Sequence, residues 1–267
     1  MKHSRWQLFL GLLCLPLLAG PGDLLEKGWL RSTFFFQQHQ ADRAFDAYGS
    51  SLAWPEEHSE HQNRQYGLFL EYGASSRTTL ILEGRFSERE LTPNPLEQSG
   101  YEVTSFTVRR LIQGSRSGHL QMEYGVMDRQ GEDPNPLALS TGGTDFLVKS
   151  SYTYSLIPQR SLVIFDLGYV FRGKDVSDDI LATVTTHWAW TRVEAWLAYE
   201  VLESQDKKRA SWDLKSFPLE QSTQTAQATL AWNFGKRTQL QLSYLNDLAG
   251  KNTFQRQGFG LAIQHQF

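Results

Sequence analysis

What most constrains this chain is a period of two. From Leu30 onward, runs of about ten residues alternate apolar and polar side chains, as strands do when successive side chains point to opposite faces. Tyr66, Leu68, Leu70 and Tyr72 share one face, and Gln65, Gly67, Phe69, Glu71 and Gly73 the other. Leu80, Leu82 and Phe86 oppose Thr79, Glu83 and Arg85, while Leu120, Met122, Tyr124 and Val126 oppose Gln121, Glu123 and Gly125. Val163 to Phe171, Val193 to Val201 and Ala226 to Phe234 repeat the pattern. It predicts twelve strands, over 29–38, 63–73, 77–87, 102–112, 119–127, 146–156, 161–172, 179–190, 193–202, 222–234, 238–246 and 254–267.

The connections alternate as well. Those after even strands are short: Ala74 to Ser76, Gln113 to Gly118, Ile157 to Arg160, Thr191-Arg192 and Gly235 to Arg237. Those after odd strands are mostly long and polar, at 39–62, 88–101, 128–145 and 203–221, with shorter ones at 173–178 and 247–253. Short turns at one end and longer loops at the other are the plan of a transmembrane β-barrel. A soluble β-sandwich also alternates. Its strands usually run about five or six residues, whereas about 9–11 are needed to cross a bilayer at a tilt. Aromatics such as Tyr72, Trp188, Trp190, Trp232 and Phe234 lie beside the short turns, where an interfacial girdle belongs. The fold expected is all-β, a single antiparallel up-and-down barrel.

Composition narrows the class further. No apolar run near the length of a membrane-spanning helix follows the N-terminal region, and mean hydropathy is −0.43. The 13% aromatic content exceeds what a disordered chain carries, and a net charge of −3 provides no basic field for nucleic acid. Lys2, His3 and Arg5 precede an apolar stretch from Trp6 to Leu18 and then Ala19-Gly20-Pro21-Gly22, the plan of a secretory signal. Residues 1–22 are therefore expected to be removed on export, leaving 23–267 as the barrel in the bacterial outer membrane. The single cysteine, Cys14, lies in that leader, so no disulfide or thiolate metal site is expected.

Phe259, Leu261, Ile263, His265 and Phe267 alternate up to the last residue. This resembles the closing strand of outer-membrane barrels, and the resemblance implies that Phe267 is an assembly signal read by the barrel-assembly machinery. The hairpin Glu71-Tyr72-Gly73-Ala-Ser-Ser-Arg77-Thr78-Thr79-Leu80, with a weaker echo at Tyr101 to Leu111, is similar to the transporter-like outer-membrane family assigned to the meta pathway of phenol degradation. That resemblance implies a barrel passing aromatic or other small organic solutes.

If the apolar faces meet lipid, the opposite faces line the lumen. Glu71, Glu83, Arg85, Arg109, Glu123, Lys149, Asp166, Arg172, His187, Glu194 and Glu200 are then lumen-lining, with Gln65, Gln121, Gln227, Gln239, Gln241 and Ser243 among the polar residues between them. Arg109 lies on a strand whose imperfect alternation suggests a bulge, and it should sit beside Glu123 across a shared turn. Gly67, Gly73, Gly125, Gly168 and Ala198 are expected to leave gaps on that face. Such a wall suits a narrow polar passage for small solutes. A non-transporting anchor whose loops bind a partner, through Phe45, Tyr48, Trp54, Trp212 or Phe217, is the alternative. An outer-membrane lipid-modifying enzyme is a third, but no catalytic set emerges: His187 reads inward and has no serine beside it. The run Glu56-Glu57-His58-Ser59-Glu60-His61 is expected to be a solvated loop with weak capacity for a divalent cation. No enzyme activity, cofactor or nucleic-acid partner is expected; outer-membrane lipids and an unidentified small solute are.

Overall fold

Alternation tells each segment which face to show, and pairing of neighbours in the chain then builds one wall. The computed structural model describes residues 24–45, 48–53, 60–92, 96–115, 117–129, 143–158, 160–172, 178–205, 222–251 and 253–267. Residues 1–22, read from the sequence as a leader and containing Cys14, lie outside these residues. Twelve strands form a closed antiparallel barrel: β1 (Leu30–Ala41), β4 (Glu60–Ser75), β5 (Thr78–Thr92), β6 (Leu96–Gly114), β7 (Gly118–Arg129), β8 (Gly143–Ile157), β9 (Ser161–Phe171), β10 (Asp179–Ala189), β11 (Val193–Ser204), β12 (Ser222–Phe234), β13 (Thr238–Lys251) and β15 (Gln257–Gln266). A second, three-stranded sheet joins β2 (Arg43–Phe45), β3 (Ser51–Ala53) and β14 (Thr253–Phe254) at the long-loop end.

The barrel closes where β1 pairs β15, from Arg31 opposite Gln266 to Gln40 opposite Gln257. Closure removes sheet edges and satisfies backbone groups within the wall, as hydrocarbon surroundings demand. Side chains divide cleanly. Phe34, Leu68, Leu82, Phe106, Tyr124, Phe165, Leu167, Leu197, Leu230 and Leu261 are exposed on the outside, while their sequence neighbours are mostly buried and polar on the inside. Tyr72, Trp190, Trp232 and Phe234 are exposed beside the short turns. The tight turn from Phe234 to Thr238 uses Gly235 at a φ of 76°, a left-handed backbone that suits glycine.

Two of the expected loops need correcting. Residues 88–101 are not a long loop: β5 and β6 continue through most of this stretch, pairing Ser87 with Gly100 and Leu91 with Leu96. Pro93 and Pro95, which read as loop signals, lie outside the described residues. Residues 39–62 are not wholly loop either, because β1 continues to Ala41, β2 and β3 lie within the segment, and β4 begins at Glu60. The bulge suspected in the fourth barrel strand is present. Arg85 faces Val103 while Phe86 faces Tyr101, so one extra residue is accommodated there and Arg109 keeps its inward phase.

The inward glycines do not leave gaps; neighbouring groups fill them. A Cβ on Gly67 would lie 2.2 Å from the Phe35 ring, one on Gly125 2.6 Å from Thr107 Oγ1, and one on Gly73 2.0 Å from the Glu26 carbonyl oxygen. Only the contacts at Gly168 are ordinary, at 3.6 Å. Phe35 stacks on Phe69 with ring centroids 5.4 Å apart, an apolar cluster inside the wall with Ile81 and Ala262. Gly67→Ala is therefore expected to destabilise the barrel by about 1–3 kcal/mol through overpacking. A Gly67→Ala/Phe35→Ala double variant should be no less stable than Phe35→Ala alone. Urea unfolding of detergent-folded protein measures both, and additive losses would show that the two residues do not compete for space.

At Gly73, residues 24–29 occupy the space. Leu25 N–H donates to Thr79 Oγ1 at 3.1 Å, Gly28 N–H to the Gly73 carbonyl at 2.7 Å, and Gly73 N–H to the Trp29 carbonyl at 2.9 Å. Leu25 is buried, so this segment covers part of the short-turn end of the interior.

Candidate functional site: a charged barrel interior

Cross-strand register places the interior charges on shared rungs. On one side, Arg31 faces Glu71, Arg109 faces Glu123, and Glu123 faces Lys149. The contacts form a continuous chain. Arg31 Nε and Nη2 donate to the two Glu71 oxygens at 2.5 and 2.8 Å, and Arg109 Nη1 reaches Glu71 Oε1 at 3.4 Å. Arg109 Nε donates to Glu123 Oε1 at 2.6 Å, and Lys149 Nζ lies 2.9 Å from Glu123 Oε2. Asp166, half-buried on β9, accepts a hydrogen bond from Ser151. Three cations thus share two carboxylates, Glu71 and Glu123, which is how ionised groups survive burial.

Nearer the long-loop end, Glu83 binds Arg85 at 2.8 Å and accepts from Ser105 at 3.1 Å. Arg172 bridges Asp145 and Asp179 at 3.0 and 2.7 Å. Arg256 donates to Asp247 through Nε and Nη2 at 2.7 and 3.1 Å, and Thr225 donates to the same carboxylate at 2.6 Å. Glu200 is buried beside Thr183 Oγ1, 3.5 Å away.

A third group sits at the short-turn mouth. Glu194 lies 3.0 Å from His187 Nε2 and accepts from Asn233 at 2.7 Å and Gln239 at 3.2 Å; Gln239 in turn accepts from Gln241 at 2.6 Å. His187, Glu194, Asn233 and Gln239 border a cavity of about 200 Å³ that Arg31, Trp196 and Gln264 also line. The Trp196 ring stacks on His187 with centroids 5.0 Å apart.

Of the charged residues expected to face inward, Glu71, Glu83, Arg85, Arg109, Glu123, Lys149, Arg172, His187 and Glu200 are buried, and Asp166 and Glu194 are half-buried. The pairs Arg109–Glu123 and Glu83–Arg85 form as their spacing suggested. Arg31, Asp145, Asp179, Asp247 and Arg256 complete the network but were not singled out. Arg31 alternates in phase with Thr33, Gln37 and His39, a signal available in β1; the others flank segments that read as loop or strand end.

His61 does not belong to a solvated cation-binding run. It faces inward from β4, buried, with its ring stacked on Phe254 at 4.6 Å, because that strand starts earlier than its alternation showed. Among the described residues no three His, Cys, Asp or Glu side chains are placed to hold a metal; His58 lies outside them. Phe45 is buried in the small sheet rather than presented as a loop contact, whereas Tyr48 is exposed; Trp54, Trp212 and Phe217 lie outside the described residues. Phe267 donates its N–H to the Leu30 carbonyl at 2.8 Å and exposes its side chain at the seam.

No protein-family model matches the sequence, and no curated protein sequence matches it. Solved structures do. An outer-membrane channel from Pseudomonas putida F1 aligns at a TM-score of 0.66 with 14% identity, covering 92% of this chain and 99% of that one. The NanC porin aligns at 0.57 with 6% identity, covering 86% and 98%. The translocator domain of the autotransporter NalP from Neisseria meningitidis aligns at 0.52 with 10% identity, covering 95% and 93%. The chain has the fold of the outer-membrane β-barrels, the class that contains channels and porins. It is a closed barrel of twelve antiparallel strands, apolar outside and polar within.

Proposed function

We propose that the protein forms a narrow, charge-lined passage for small organic solutes across the outer membrane. The observation that carries this reading is the two-sided wall: apolar side chains outside, and inside a run of hydrogen-bonded charges reaching from the long-loop end to the short-turn mouth. Such a lining can select solutes by field and hydrogen bonding. The hairpin at Glu71 to Leu80 adds aromatic molecules to the solutes worth testing.

Most interior side chains are nearly inaccessible to solvent, and that observation favours a second reading, a filled barrel serving as an anchor. Planar-bilayer recording separates the two: discrete conductance supports passage, and silence from folded barrels supports the anchor. Within the passage reading, Glu83→Gln should shift reversal potential toward anions by releasing Arg85 from its partner, and Arg85→Gln should shift it toward cations. Unchanged reversal potentials in a salt gradient would remove this pair from the path.

A further inference from the structure

The cavity at the short-turn mouth is lined by groups whose bonding is incomplete. His187 faces Trp196 across the β10–β11 pair and Leu162 across the β9–β10 pair. Asn233 faces Gln239 across the β12–β13 pair, and Gln239 faces Gln264 across the β13–β15 pair. These side chains, with Lys236 and Arg237 from the turn between β12 and β13, border about 200 Å³. That is room for a small organic molecule, below the roughly 300–1,000 Å³ of pockets for drug-sized ligands.

Three buried polar atoms of this lining have no hydrogen-bond partner among the described residues: Trp196 Nε1, His187 Nδ1 and Gln264 Oε1. Trp196 is 2% exposed and His187 8%. The indole N–H only donates, and the amide oxygen only accepts. Glu194 sets the imidazole: its carboxylate accepts, so His187 Nε2, 3.0 Å away, carries the proton, and in the neutral ring Nδ1 is an acceptor. One donor and two acceptors are left unanswered. Hydroxyl groups answer both kinds, because each O–H donates and accepts. The charges of the lining are unbalanced as well. Arg31 is bound by Glu71, and Glu194 is engaged by His187, Asn233 and Gln239. Lys236 and Arg237 have no carboxylate partner among the described residues. The Arg237 guanidinium lies instead over the Trp29 ring, 5.4 Å from its centroid, a cation–π contact that leaves its charge uncancelled.

We propose that this cavity binds a small hydroxylated carboxylic acid, its carboxylate at Lys236 and Arg237 and its hydroxyls at Trp196, His187 and Gln264. Water can bridge the three polar atoms, but it brings no charge to the two cations. A neutral polyol has the same shortfall. A plain fatty acid answers the cations yet sets no donor against His187 Nδ1 or Gln264 Oε1. Only a molecule with both an acid group and hydroxyls satisfies the whole lining. The inference rests on the passage reading for its biological sense and gives that passage a solute class.

The test uses the full barrel folded in detergent, with calorimetric titration of three probes. Gluconate carries both features, sorbitol keeps the hydroxyls without the charge, and hexanoate keeps the charge without the hydroxyls. Gluconate should bind about tenfold more tightly than either. Lys236→Gln/Arg237→Gln should weaken gluconate about tenfold and leave sorbitol unchanged. Trp196→Phe, which keeps a ring and removes the N–H, should weaken gluconate about fivefold and leave hexanoate unchanged. Lys251→Gln removes a cation at the long-loop end and should change nothing. Gluconate binding no tighter than sorbitol or hexanoate overturns the proposal, as does unchanged binding in the folded variants. A loss in Lys251→Gln equal to that of the turn variant traces the affinity to overall charge and also overturns it. If Trp196→Phe does not fold, the probes and the turn variant decide, since Lys236 and Arg237 are exposed. Gluconate binding to a barrel that conducts nothing would leave the site standing and remove the passage; conductance without gluconate binding would do the reverse.

Discussion

Glu71→Leu is expected to destabilise the barrel by about 3–5 kcal/mol, because it strips two buried cations of a shared partner. Glu71 is fully buried and receives both Arg31, through two bonds at 2.5 and 2.8 Å, and Arg109 at 3.4 Å. Arg109 keeps Glu123, so most of the loss falls on Arg31 at the closing seam, where β1 also pairs β15. Glu71→Gln should cost less, since an amide still accepts hydrogen bonds. An Arg31→Met/Glu71→Leu double variant should recover much of the loss, because removing both charges is far cheaper than removing one. Urea unfolding in detergent measures the series. A Glu71→Leu barrel as stable as the parent would mean that water, rather than these carboxylates, solvates the interior cations.

Leu167→Arg should be nearly as damaging for the opposite reason. Leu167 projects outward from the middle of β9 between Asp166 and Gly168 and is 58% exposed, the ordinary state of a side chain whose solvent is lipid. A cation near the bilayer midplane of a barrel wall costs about 2–4 kcal/mol, falling toward zero at the interfaces. Trp190→Arg, beside a short turn, should therefore cost much less. Equal effects at the two positions in lipid vesicles would mean that the exposed apolar band does not lie at membrane depth.

The wall was legible in the sequence because its two rules are local. Alternation at Leu68-Phe69-Leu70-Glu71 assigns faces without reference to any partner, and Gly235-Lys236-Arg237 marks a turn by its own chemistry. Arg109 and Glu123 could be paired from sequence because their strands share one short connection. Arg31 and Glu71 could not be paired that way: they meet across the β1–β4 pair, with β2, β3 and most of a long connection between them. Asp145 and Asp179 stand at strand ends, where alternation carries little signal, and their link to Arg172 depends on three strands coming side by side. The inward glycines are not legible in the same way, because a missing side chain does not say which neighbour uses the room; here Phe35, Thr107 and the 24–29 segment do.

The long β5–β6 hairpin has a mechanical consequence. These strands hold 15 and 19 residues, whereas β9 and β10 hold 11 each. At about 3.4 Å per residue, the surplus carries a hydrogen-bonded ribbon on the order of 15 Å past the rim set by the shorter strands. Among the described residues, the flank built from β4, β5 and β6 therefore stands higher at the long-loop end than the flank of β9 and β10, and within the passage reading a solute arriving from that side would brush the taller flank first.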